Sequence, residues 1–318
     1  MEYLTDLKAI LHSKRANLYY LEKCRIMLKD GRVVFLTESK KEYNYWNIPI
    51  ANTTVILLGI GTSITQGAVR MLASAGVMIG FTGAEGTPLL AGNEIEWLCP
   101  QSEYRPTEYI QGWMSFWFEE AKRLKAAKLL QCRRVEYLEK TWRNDTFLHE
   151  NNFYIDDQEI VMVLDAYKQK IMKAADIGEL LRTEAVMTKA LYRYAAKKSE
   201  TEGFVRDNDS IDTVNIFLNH GNYLAYGLAA TTLWVLGIPH GFAVMHGKTR
   251  RGALVFDIAD LIKDAIILPF AFICAKQRIT EKSFRDQCVL NFTKHKALDY
   301  MFDTTKEIAL LKNWETSE

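Results

Sequence analysis

The stretch 246–264, HGKTRRGALVFDIADLIKD, gathers a histidine, a basic cluster and three aspartates in one short segment. His246 opens it in a Gly-rich turn, Lys248, Arg250 and Arg251 follow, and Asp257, Asp260 and Asp264 stand three and seven residues apart. Residues at those spacings share a face of a helix. Carboxylates stacked that way repel one another unless a cation lies between them or a proton is retained. A divalent cation answers that repulsion, with the His246 imidazole as a further ligand. Carboxylate oxygens suit magnesium and manganese, and an imidazole beside them tilts the choice toward manganese. A solvated helix face beside a core histidine fits the same residues. His240, six residues before His246, is a competing ligand.

A fourth carboxylate stands apart, in DIGELLRTEAVMTKALYRY. Ile177, Leu180, Leu181, Glu184 and Thr188 fall on one helical stripe, so Glu184 emerges from an apolar face. Burying it unpaired costs several kcal/mol, so it needs a partner. Arg182 and Lys189 lie off the stripe. A metal shared with His246 and Asp260 accounts for the placement, and so does a glutamate at the stripe's edge.

The richest basic segment is 116–143, with Lys122, Arg123, Lys125, Lys128, Arg133, Arg134, Lys140 and Arg143 against Glu136 and Glu139, flanked by Trp113, Trp117, Tyr137 and Trp142. Such a helix either follows a phosphate backbone, with its aromatics as core or stacking platforms, or is a solvated face. The net charge is only +1, so any nucleic-acid contact must use local patches of this kind. GIGTSITQG (Gly59, Gly61, Gly67) follows a strand and enters a helix, but its third position falls on Ile64 and no acidic residue closes the next strand. It reads as a tight turn rather than a dinucleotide fingerprint.

The elements that must position these groups follow from pattern and length. A chain of 318 residues accommodates two domains with separate cores, and 48% hydrophobic with 25% charged residues is ordinary for a soluble globular protein. Five cysteines (Cys24, Cys99, Cys132, Cys274, Cys288) never spaced CxxC point to reduced thiols in a cytoplasmic protein, without a zinc site or disulfide framework. The opening MEYLTDLKAILHSKR lacks a signal-peptide apolar core. Residues 223–238 form a clean apolar segment, shorter than the ~20 residues a membrane span needs, and read as a buried core helix. Asp30-Gly31 marks a hairpin turn between 24–29 and 32–36, with 47–50 an edge or turn, 53–58 a strand, 63–75 a helix and 77–82 a strand. The polar, proline-bearing segment 99–106 sets the boundary. Helical periodicity dominates beyond it. The expected fold is α+β: a small β-rich domain over 1–102, then an all-helical domain over 103–318.

Three motifs make the chain resemble the CRISPR-associated integrase of spacer acquisition, the "Cas one" family: LLRTEA with Glu184, LNHGNYLAYG at 218–227, and GFAVMHGKTRRGALVFDIAD at 241–260. The run NIPIANTTVILLGIGTSITQGAVRMLASAGV is similar to the subtype I-F form. The resemblance implies a homodimer joined through β-rich N-terminal domains and a helical catalytic domain. It implies one Mg²⁺ or Mn²⁺ held by Glu184, His246 and Asp260, with Asp257 an acidic neighbour supporting the site. It also implies DNA as substrate and a small adaptation partner protein, fused in this subtype to a helicase-nuclease. Captured DNA would be inserted into the CRISPR array by 3′-hydroxyl transesterification, with Lys248, Arg250 and Arg251 clamping phosphate oxygens. A stand-alone metal-dependent nuclease and a non-catalytic DNA-binding scaffold are the rival readings.

Overall fold

The computed structural model describes residues 17–39, 42–83, 96–98, 106–201, 203–247 and 252–311. The first half of the described chain is built from eight strands in two four-stranded sheets: β1 (Asn17–Leu21), β2 (Arg25–Lys29), β3 (Arg32–Ser39), β4 (Glu42–Asn47), β5 (Thr53–Leu58), β6 (Ser63–Ile64), β7 (Met78–Phe81) and β8 (Glu96–Leu98). Asp30 and Gly31 both take positive φ, 50° and 70°, the backbone a two-residue hairpin turn requires, and so β2 and β3 pair in register from Lys29↔Arg32 to Arg25↔Leu36. β4 extends this sheet where the pattern gave only an edge or turn around Pro49. One sheet runs β4-β3-β2-β6, the other β1-β5-β7-β8.

β5 is buried at every position because both of its faces are covered. Val55 and Leu57 pack into the helical core, while Ile56 and Leu58 face the second core between the two sheets. The alternation is the period-2 geometry of a strand. The predicted helix 63–75 starts later. Ser63 N and Thr65 N donate to the carbonyls of Cys24 and Ile26, at 3.0 Å each, and so continue the sheet as β6. Thr65 then caps α1 (Gln66–Ser74) by accepting from Ala68 N. The glycines before it sit in a strand-to-strand turn: Gly61 has φ 67°, and a Cβ on Gly59 would lie 2.4 Å from the Tyr20 hydroxyl.

Beyond the sheets the described chain is helical: α2 (Glu108–Trp117), α3 (Glu120–Asn144), α4 (Thr146–Glu150), α5 (Gln158–Lys173), α6 (Ile177–Ser199), α7 (Thr213–Leu236), α8 (Ala253–Ile262), α9 (Leu268–Lys276), α10 (Glu281–Lys294) and α11 (Ala297–Ala309). The basic segment expected as one helix breaks where Glu119 turns extended, between α2 and α3. α7 is the central helix, packed by α8, α9, α10, α11 and β5. Small residues permit this: a Cβ on Gly221 would lie 2.4 Å from the Ile267 side chain. Gly237, left-handed at φ 70°, ends α7 just before Pro239. Among the described residues no helix is long and apolar enough to cross a membrane. The expected boundary at 102/103 and the cluster Lys248, Arg250 and Arg251 lie outside the described residues, as does Cys99.

Candidate metal centre

Three elements converge on one open cleft of about 460 Å³: α6 carries Glu184, the loop after α7 carries His246, and α8 carries Asp257 and Asp260. One ligand atom from each of Glu184, His246 and Asp260 lies within 4.8 Å of the other two. These segments are far apart in sequence. Only the packing of α3, α6 and α8 brings them together.

The loop is held from two sides. The Asp257 side chain is fully buried, and its carboxylate accepts from Val244 N at 2.7 Å, Met245 N at 3.1 Å and His246 N at 3.2 Å. Its Oδ1 also lies 2.6 Å from His246 Nδ1. With Nδ1–H donating there, Nε2 carries the lone pair and turns toward the cleft, 4.0 Å from Glu184 Oε2. From the other side, Trp113 Nε1 donates to the Phe242 carbonyl at 3.0 Å and Trp117 Nε1 to that of Ala243 at 2.7 Å. Two of the aromatics beside the basic helix thus anchor the histidine loop. Trp113, Tyr137 and Trp142 are core residues rather than stacking platforms.

The expected common face of Asp257, Asp260 and Asp264 is not what forms. Positions three apart on a helix are offset by about 60°, and that offset sends Asp257 to the histidine loop and Asp260 to the cleft. A π-helical turn (Lys263–Ile267) then interrupts the helix, and Asp264 within it pairs with Arg134 on α3. Each aspartate therefore has its own partner.

Arg134, read from the sequence as a DNA contact, is 3% exposed. Its guanidinium donates to Glu184 Oε1 at 2.5 Å and through Nε to Asp264 Oδ2 at 2.7 Å, with Thr188 Oγ1 and Gln131 Oε1 at 3.3 Å. It is the missing partner of Glu184, reached from another helix rather than from Arg182 or Lys189. With its donors spent inside the protein, it is poorly placed for a phosphate backbone. Gln131 extends the network by accepting from the Tyr167 hydroxyl at 2.6 Å and donating to Met245 Sδ at 2.9 Å. Lys263, overlooked in the sequence although it stands three residues after Asp260, forms an ion pair with that carboxylate.

Charge is balanced unequally between the two carboxylate ligands. Burial raises Glu184 above the usual carboxylate range, and Asp260 adds to the rise against the opposing pull of Arg134. Burial would also raise Asp260, but Lys263, Arg134 and His246 outweigh it and hold that carboxyl low. Burial tends to lower His246, yet the Asp257 hydrogen bond and the charges of Asp260, Asp257 and Glu184 raise it overall. Two carboxylates and an imidazole form a hard, oxygen-rich donor set that fits magnesium or manganese. His240 falls outside this cluster, and burial lowers its pKa.

The rest of the basic helix lies elsewhere. Lys122 pairs with Glu119 at 2.6 Å, Arg123 donates to the Trp117 carbonyl at 3.0 Å, and Lys128 to that of Met172 at 3.0 Å. Arg133 bridges Glu136 and Glu307, and Lys125 is half-buried. A cation the sequence reading missed does reach the cleft: Arg206 lines its wall, held by Asn215 Oδ1 at 2.8 Å and Asn219 Oδ1 at 2.6 Å.

Residues 18–302 match the family described as "CRISPR associated protein Cas1". The CRISPR-associated endonuclease Cas1 of Pseudomonas aeruginosa is 51% identical over 311 residues, 96% of each chain. That of Pectobacterium atrosepticum is 52% identical over 311 residues, covering 96% of this chain and 95% of the relative. Among solved structures, a casposase bound to its integration product superposes with a TM-score of 0.69 over 93% of this chain and 92% of its own, at 12% identity, which is a likeness of fold.

Proposed function

The chain belongs to the CRISPR-associated Cas1 family, and from that premise we propose that it is a metal-dependent DNA endonuclease and integrase of CRISPR adaptation. It inserts captured DNA fragments into the CRISPR array by transesterification. The observation that carries this reading is the convergence of Glu184, His246 and Asp260, from three separate segments, on one open cleft. The likeness to a casposase fold and the endonuclease names of the relatives support it.

Glu184, His246 through Nε2, and Asp260 are the residues that would hold Mg²⁺ or Mn²⁺. Bound there, the cation supplies charge stabilisation on the phosphate and on the leaving oxygen. The 3′-hydroxyl of incoming DNA attacks a phosphodiester in line, so one P–O bond forms as another breaks and the backbone stays joined. With water as nucleophile the same site hydrolyses. Asp257 fixes the imidazole tautomer and ring orientation, and Arg134 keeps the Glu184 carboxylate turned into the cleft. Lys263 and Arg206, which line the cleft, approach the phosphate oxygens. Lys122, Arg123, Lys125, Lys128 and Arg133, with Lys248, Arg250 and Arg251, remain the candidates for contact with flanking DNA. A homodimer joined through the β-rich part, and a small subtype I-F partner fused to a helicase-nuclease, complete the assembly we infer.

Two measurements test this. A manganese-soaked crystal should place the three side chains within ~2.0–2.3 Å of the ion. In an assay that separates joined from merely cleaved strands, Glu184→Gln should abolish joining and leave DNA binding intact. Cleavage without joining would make the protein a stand-alone nuclease. Undiminished strand transfer by Glu184→Gln would remove the metal centre from the chemistry.

A further inference from the structure

A second cleft, of about 610 Å³, lies between β1, β3 and α10 and shares no lining residue with the metal centre. At its wall stands Arg285 on α10, only 4% exposed. Its guanidinium rests on the Tyr20 ring, 4.7 Å from the centroid, and Nη2 reaches Glu22 Oε1 at 3.5 Å, the limit of an ion pair. Glu22 is itself engaged, accepting from the Tyr20 hydroxyl at 3.0 Å. The other arm of the fork, Nη1, is buried and has no hydrogen-bond acceptor among the described residues. A buried cationic donor without an acceptor is costly. Here it lines a cavity large enough to admit one.

The surroundings restrict what the acceptor can be. Leu18, Leu21, Phe35, Val289 and the exposed Leu290 make much of the lining apolar. Glu22 and Asp286 stand beside the arginine and disfavour a dianionic phosphate. A single carboxylate attached to an apolar group fits both features, because a guanidinium fork grips a carboxylate with two parallel bonds. β1, which lines the cleft, is also the terminal strand of its sheet, and terminal strands receive extended peptides. In an extended chain, side chains two residues apart project to the same side.

We propose that this cleft docks an extended peptide segment of a partner protein. An Asp or Glu of that segment takes the open arm of Arg285. An apolar side chain two residues away packs against Leu290 and Val289.

The test uses the full chain, immobilised, with a displayed library of eight-residue peptides holding an apolar residue two positions before either Glu or Gln. Glu peptides should be enriched at least tenfold over their Gln counterparts. That preference should vanish in Arg285→Lys, which keeps the charge and loses the fork, and in Leu290→Glu, an exposed position where folding is not at risk. Leu290→Glu should still bind manganese as the parent does. Equal recovery of Glu and Gln peptides, or a preference that survives Leu290→Glu, overturns the proposal. So does displacement of the selected peptides by an equal concentration of inorganic phosphate or short single-stranded DNA, which would assign the cleft to nucleic acid.

Discussion

His246 Nδ1 lies 2.6 Å from Asp257 Oδ1, and the same carboxylate also accepts the backbone N–H of His246. Asp257 thus fixes both the loop and the ring, while the ring's other nitrogen faces Glu184. Outer partners of this kind are worth about 10- to 100-fold in metal affinity. Asp257→Asn should weaken manganese binding by about that factor in a calorimetric titration while strand breakage falls in parallel. Wild-type affinity in this variant would mean that the ligand set does not depend on the orientation Asp257 imposes.

Arg134 neutralises two buried carboxylates, Glu184 and Asp264. Removing one member of a buried charge cluster costs about 3–5 kcal/mol, because the others stay behind unpaired. Arg134→Met should lower the urea midpoint of the metal-free protein accordingly, and adding Glu184→Gln and Asp264→Asn should restore much of the loss. A cost no greater than that of exposed Arg143→Met would disprove the clustered-charge account.

The raised pKa of His246 gives two pH effects of opposite sign. Because the folded pKa exceeds the unfolded value near 6.5, protonation stabilises the metal-free fold. That contribution is complete below about pH 6.5 and is lost as pH rises through the folded pKa. Metal binding needs the neutral ring, so affinity grows over the same interval. At limiting manganese, activity should therefore fall as pH drops through a point above 6.5, and extra metal should partly restore it. A pH profile unmoved by metal concentration would exclude imidazole ligation.

The basic helix predicts a salt effect. Each phosphate neutralised on duplex DNA contributes about −0.9 to the slope of log K against log salt. The combined substitutions Lys122→Ala, Arg123→Ala and Lys125→Ala should flatten that slope by about one to three units, with equal weakening on unrelated sequences. Manganese binding should be unaffected. An unchanged slope would make α3 a solvated face and move the DNA path toward Lys248, Arg250 and Arg251.

Much of this protein was written in local pattern. Asp30-Gly31 specified its hairpin because few residue pairs accept two positive φ angles in succession. The β-branched run 53–58 specified β5, and the periodicity after residue 107 specified helices. The types and spacing of Glu184, His246 and Asp260 named the kind of centre they could form. Their convergence was carried by motif resemblance, since no local rule brings an α6 glutamate beside an α8 aspartate.

What only the tertiary structure decided was the partner of each charge. Arg134 looks like its basic neighbours in sequence, yet it lies on the inward face of α3 and is consumed by Glu184 and Asp264. Asp257, Asp260 and Asp264 follow a helical spacing that suggests one acidic face, but a 60° offset and a π-helical turn give them three separate roles. Lys263 and Arg206, ordinary surface residues by type, line the cleft because α8 and the segment before α7 are packed around it. Spacing along a chain fixes which side chains share an element. Which of them meet across elements depends on how helices cross and where a register shifts, and those are properties of the packed core.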